Sequence, residues 1–168
     1  MQLRLLHADI IYVSILTCQY TRDWDWYAVD EFGVIGHFTT AGFRKLPAVI
    51  KGDFEAAEKC IHYFDEAQAR SAYSVSGDLE KEAGAFKGDQ ERQRYLQSFA
   101  QMAERGLFSF DTKPLGSGPG WYYLVASPRH PLHIDELPPE IAELVCRVRA
   151  DRPFSAGVRV AESDTLNW

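Results

Sequence analysis

The sequence predicts an α+β fold: an antiparallel sheet of two hairpins plus flanking strands, with about three helices packed against it. Two observations carry this. Aromatic-rich strand–turn–strand patterns occupy residues 24–39 and 107–126. Apolar residues recur at helical spacing in three other stretches, beginning near residues 54, 89 and 139. At 168 residues, 46% of them hydrophobic and 13% aromatic, one domain with its own core is the expectation, with no need of a disulfide or metal.

Residues 10–16 form an apolar run too short to span a bilayer. Arg4 stands before it as in a signal peptide, but His7 and Asp9 break the apolar region and no small-residue cleavage site follows. Its Ile, Tyr and Val content favours a buried strand. The alternative for residues 1–20 is a peripheral or poorly ordered extension.

The first hairpin organises the chain. Its first strand places Trp24, Trp26 and Ala28 on one face and Asp25, Tyr27 and Val29 on the other. Asp30 and Gly33 suit the turn, Asp30 by local hydrogen bonding and Gly33 by positive φ. The second strand, residues 34–39, alternates Val34, Gly36 and Phe38 against Ile35, His37 and Thr39. Apolar groups on both faces place the pair inside a sheet. Residues 43–50 read as a connector.

Asp53 caps a helix whose buried stripe is Phe54, Ala57, Ile61 and Phe64. Residues 68–88 read as a long surface connection, with a short strand at 72–75. Asp89 is placed as the cap of a second helix that buries Tyr95, Leu96, Phe99, Ala100, Met102 and Ala103 and stops at Gly106. The second hairpin follows. Pro138 and Pro139 open a third helix with Ile141, Leu144, Val145 and Val148 inward. A last strand is expected at 157–161.

The formal net charge of −6 argues against nucleic acid and against anionic membrane surfaces as partners. It fits a soluble cytoplasmic protein, or one that meets a basic partner. Cys18, Cys60 and Cys146 are widely spaced and include no CxxC pair, so they read as reduced thiols. His130, His133 and Asp135 lie on a proline-broken segment and lack the frame a metal needs. The glycines of 116–120 precede an aromatic strand rather than a helix, so no phosphate loop is expected. No metal site and no cofactor is assigned, and no catalytic residue is named. Cys60 and His62 point to different helix faces, and no Ser–His–Asp arrangement can be defended from spacing.

The candidate binding residues are Trp24, Asp25, Trp26, Asp30, His37 and Trp121. Strand-borne tryptophans and tyrosines serve as interface anchors when exposed and as core when not. His37, beside Ile35 and Thr39, reads as a hydrogen-bonded core residue.

The stretch from Trp24 to Asp30, the stretch from Gly33 to Gly42 and the late segment from Tyr122 to Pro128 resemble a group of uncharacterised bacterial proteins. These share a WDWFxxD…GxIGHFTTAG-type start and a YYL(V/I)ASP-type strand. The resemblance covers residues 24–150 and supplies no catalytic residue. In general character the chain is similar to small acidic immunity proteins that neutralise bacterial toxins. That implies a protein partner, with acidic side chains steering a basic surface. Two alternatives stay open. One is a small enzyme or ligand-binding domain with a pocket at the first hairpin, using His37, Asp25 and Asp30. The other is a structural subunit that forms homo-oligomers through its aromatic sheet.

Overall fold

The computed structural model describes residues 23–41, 46–112 and 121–156, and the backbone of 159–161 and 165–166. The expectations for residues 1–20 and for the glycine loop at 116–120 lie outside these. So does Cys18.

The chain is α+β, as its periodicities predict. The strands are β1 (Asp25–Val29), β2 (Ile35–Thr39), β3 (Tyr73–Val75), β4 (Phe108–Thr112), β5 (Trp121–Pro128), β6 (Arg149–Ala150), β7 (Arg159–Ala161) and β8 (Thr165–Leu166). The helices are α1 (Ala48–Lys51), α2 (Phe54–Glu66), α3 (Leu79–Ala83), α4 (Asp89–Glu104) and α5 (Pro139–Val145). All the strands join one sheet in the order β3-β5-β4-β2-β1-β6-β8, and β7 shares β5's outer edge with β3.

The sheet is mixed rather than purely antiparallel. Both predicted hairpins are present, but β2 pairs with β4 in parallel, and so does β1 with β6. Four helices, α1 to α4, and β3 lie between β2 and β4, and this crossover carries the chain back to the end where β2 began. A parallel neighbour then follows from the crossover. Period-two alternation within a strand says nothing of its neighbour's direction, so this could not be read locally.

The capping forecast for α2 holds: Asp53 Oδ1 accepts a hydrogen bond from the Ala56 N–H at 3.1 Å. At α4 the cap position belongs to Gly88, and Asp89 is the first helical residue, where its charge suits the helix dipole. The predicted connector at 43–50 contains the short helix α1, and the surface connection at 68–88 contains α3 as well as β3.

The two faces of the sheet differ in kind. One face is aromatic. Trp26, Phe38 and Phe110 stack in series, with ring centroids 4.2 and 4.8 Å apart and interplanar angles of 13° and 8°. Tyr122 and Phe154 meet Phe38 edge-on at 5.2 and 5.7 Å. Gly36 is required beneath this stack, since a Cβ there would come within 2.8 Å of the Phe154 ring.

The other face is covered by α2, α4 and α5. It carries two apolar clusters. One joins Tyr27, Val29 and Ile35 to Phe64, Met102 and Ile141; the other joins Tyr123 and Val125 to Leu96, Phe99 and Leu79. A band of polar side chains lies on the same face, and the site is built there.

Candidate functional site

The hairpin positions the site, and its turn is set by Asp30. One carboxylate oxygen accepts from the Phe32 and Val34 N–H groups, each at 2.9 Å. The other accepts from the Phe154 N–H at 2.9 Å. Gly33 completes the turn with φ +80, and the space beside its Cα is filled by the His133 ring. The His133 imidazole in turn bonds the Phe32 carbonyl through Nε2 at 2.7 Å. From sequence Asp30 is a turn residue and a binding candidate. In the fold it is buried, because the Phe154 segment closes over it. It ties turn to core and has no surface to offer a ligand.

The parallel register then assembles a polar row across the helix-covered face. His37 on β2 lies opposite Ser109 on β4. Ser109 Oγ and His37 Nδ1 are 2.8 Å apart. His37 Nε2 lies 3.3 Å from Asp25 Oδ1. That nitrogen has no well-aligned hydrogen bond, so it approaches the Asp25 carboxylate without a directed bond. His37 is fully enclosed, while the Asp25 side chain keeps 37% of its surface exposed. The expected core histidine is therefore also a bridge, from a sealed hydroxyl to a carboxylate that reaches solvent.

One step along each strand, Asp111 gathers four donors. Its Oδ1 accepts from Thr39 Oγ1 at 2.9 Å and from the Thr112 N–H at 2.7 Å. Its Oδ2 accepts from the Tyr95 hydroxyl at 2.6 Å and the Tyr123 hydroxyl at 3.1 Å. Tyr95 stands on α4, so this carboxylate fastens the helix to the sheet. Burial first, then the Asp111 charge, push both phenols far above the ordinary tyrosine range.

Asp23 precedes β1 and completes the acidic group. Thr40 Oγ1 donates to its Oδ1 at 3.2 Å and accepts from the Trp24 N–H at 2.9 Å. Protein atoms crowd the Asp23 carboxylate although the residue keeps an exposed surface. That desolvation, followed by the charges of Asp25 and then Asp111, raises its pKa above 3.8. Among the described residues, no lysine or arginine forms an ion pair with Asp23 or Asp25, and Asp25 has His37 alone.

Asp25, His37 and Ser109 have the order of an acid–imidazole–hydroxyl relay. Nucleophilic attack requires the hydroxyl to reach a substrate carbonyl, and Ser109 has no exposed surface at all. What the arrangement can do is hold His37 in place and keep negative charge at the sheet end. Among the described residues, no group of three or more His, Cys, Asp or Glu could hold a metal ion.

The aromatic candidates separate. Trp26 is enclosed in the aromatic stack and cannot meet a partner. Trp24 is half-buried against Phe54 at 5.1 Å. Trp121 opens β5 and is 36% exposed. Of the six candidates, the fold joins Asp25 and His37 directly and sets Trp24 beside them in the chain. It removes Trp26 and Asp30 to the interior. The residues missed from sequence are Ser109 and Asp111, and Tyr95, read as buried stripe, also turns its hydroxyl to Asp111. The one signal for the first two was alternation in β4, where Ser109 and Asp111 interrupt Phe108 and Phe110 with polar groups on one face.

No protein-family model, curated protein or solved structure matches the chain. No helix among the described residues is long and apolar enough to cross a membrane.

Proposed function

We propose that this is a protein-binding protein whose acidic sheet end, presented by Asp23 and Asp25, receives a cationic group of a basic partner. The observation that carries the reading is geometric: Asp23 and Asp25 lie at one end of the sheet with exposed surface, and among the described residues neither pairs with a lysine or arginine; burial first, then the Asp25 charge, hold the Asp23 carboxyl above its ordinary range, in keeping with it. A lysine or arginine brought to Asp23 and Asp25 offsets their mutual repulsion and pairs with both carboxylates. An immunity-type inhibitor is the specific form this takes if the partner's basic patch is its working surface. The tryptophans are secondary to this contact: Trp24 lies at its margin, and Trp26 serves the core.

The test is calorimetric titration with a lysine-rich peptide over a salt series. Replacing Asp23 and Asp25 by asparagine should weaken binding by about tenfold or more and flatten the salt dependence. Replacing Glu55 and Glu58 by glutamine removes the same charge elsewhere and should change affinity far less. Equal losses in the two variants would end the proposal.

A second reading, a small enzyme or ligand-binding domain at the hairpin, has one observation behind it: the Asp25–His37–Ser109 line. It requires an opening that exposes Ser109. Labelling of Ser109 by a serine-directed phosphonylating probe would favour it, and an unlabelled Ser109 would count against it.

A further inference from the structure

A small cavity lies along the outer edge of β1, on the flank away from β2. The ladder bonds fix which backbone groups face it. The Asp30 N–H donates to the Val34 carbonyl at 2.9 Å, and the Thr40 N–H donates to the Trp24 carbonyl at 3.0 Å. Even-numbered residues of β1 therefore turn their backbone groups toward β2. Odd-numbered residues turn theirs outward, where the Val29 N–H meets the Val148 carbonyl at 3.1 Å. Pairing with β6 stops there. One step back along a parallel ladder, the Val148 N–H would donate to the Tyr27 carbonyl. The end of α5 takes that donor instead: the Val148 N–H donates to the Val145 carbonyl at 3.3 Å. Among the described residues, nothing accepts from the Tyr27 N–H or donates to the Tyr27 carbonyl, and Tyr27 is 3% exposed.

Three successive residues, Asp25, Trp26 and Tyr27, line one side of the cavity. Successive side chains leave a strand by opposite faces, so what the three present to the cavity is the strand's edge. Helices α1, α2 and α5 close it with apolar groups, among them Ile50, Ala57 and Leu144. Its charged groups are Asp25 and the Asp53–Arg147 ion pair, held at 2.8 Å. Cys60 adds a thiol that burial pushes up to about 11, so it stays neutral. The free space is about 10 Å³, room for a single water.

We infer that this cavity binds one water molecule, which accepts from the Tyr27 N–H and donates to the Tyr27 carbonyl. An occupant must both give and take a hydrogen bond through one small group, because a donor and an acceptor are buried side by side. An ammonium ion cannot accept, and a carboxylate cannot donate and would meet Asp25. An amide can do both but is larger than the space. Water does both and fits. It takes the place of the strand residue that α5 withholds from β1. The inference does not depend on the acidic pair as a partner site, and either can fail without the other.

The test is water–amide NMR on the full, nitrogen-labelled chain. The Tyr27 N–H should show a water cross peak of opposite sign in laboratory-frame and rotating-frame spectra, the mark of a water that is held. The Ala28 N–H, bonded within the β1–β2 ladder, should show none. Tyr27→Phe removes the side-chain hydroxyl, leaves the backbone intact and should keep the peak. Ala57→Val narrows the cavity and should abolish it. No peak at Tyr27 in the native chain would overturn the inference. So would a peak lost in Tyr27→Phe, which traces it to the hydroxyl, or one unchanged in Ala57→Val. Water-oxygen relaxation dispersion on the native chain reads the same water without a variant. No long-lived water there would overturn the inference even if Ala57→Val folds poorly.

Discussion

The two faces of the central sheet share one register and put it to opposite uses. Pairing Phe38 with Phe110 stacks two rings on one face; the neighbouring pair, His37 with Ser109, joins two polar groups on the other. A slip by one residue would exchange the faces, burying Asp25 and Asp111 in the aromatic stack. The aromatic face therefore guards the polar one. It holds the register by packing, and the polar row accepts an arrangement of charges that packing alone would not select.

If that division is right, the largest losses should come from the aromatic face. Phe38→Ala removes the ring between Trp26 and Phe110 and should cost about 3–5 kcal/mol in a urea unfolding series. A cost below about 1 kcal/mol would mean that the stack does not hold the register.

Asp111→Ala comes next, at about 3 kcal/mol, because Tyr95, Tyr123 and Thr39 all lose an acceptor inside the fold. Asp111→Asn should cost less, since it keeps one acceptor oxygen. The same hydroxyls predict an alkaline limit. Tyr95 and Tyr123 ionise at higher pH folded than unfolded, so stability should fall as pH rises past the ordinary tyrosine value of 10. Unfolding midpoints measured between pH 8 and 11 would show this, and Tyr95→Phe should soften the decline.

Ser109→Ala should be smaller, about 1 kcal/mol, for one bond to His37. The smallest effect has the opposite sign. Asp23 binds its proton more tightly in the folded state, so its ionised form opposes folding at neutral pH. That penalty is present above its raised pKa, fades as pH falls toward 3.8 and is gone below it. Asp23→Asn should therefore stabilise at pH 7, by less than about 1 kcal/mol given the solvent around it, and lose the advantage in acid. Destabilisation at pH 7 would break the contrast between the faces.

The legible parts of the molecule are those fixed by near neighbours. Turn chemistry at Asp30 and Gly33, the Asp53 cap and the stripes of α2 and α4 depend on residues a few positions apart. Pairing His37 with Ser109 requires knowing that a strand 72 residues later arrives in parallel, which no local period encodes. Asp30 is misread for the same reason, because its burial comes from a backbone donor 124 residues onward. Trp26 followed the correct alternation, but alternation cannot say which face receives a cover. The acidic group was half visible: Asp23 and Asp25 are neighbours in sequence, and Asp111 reaches them through the sheet.

The central claim is that Asp23 and Asp25 form an acidic pair that a cationic partner engages. Carboxyl carbon NMR of Asp23, followed against pH, measures this in the free protein and again with a saturating lysine-rich peptide. The account predicts a titration midpoint above 3.8 in the free protein, falling once the peptide is bound. A free midpoint at or below that value, or one that does not move on binding, would contradict it.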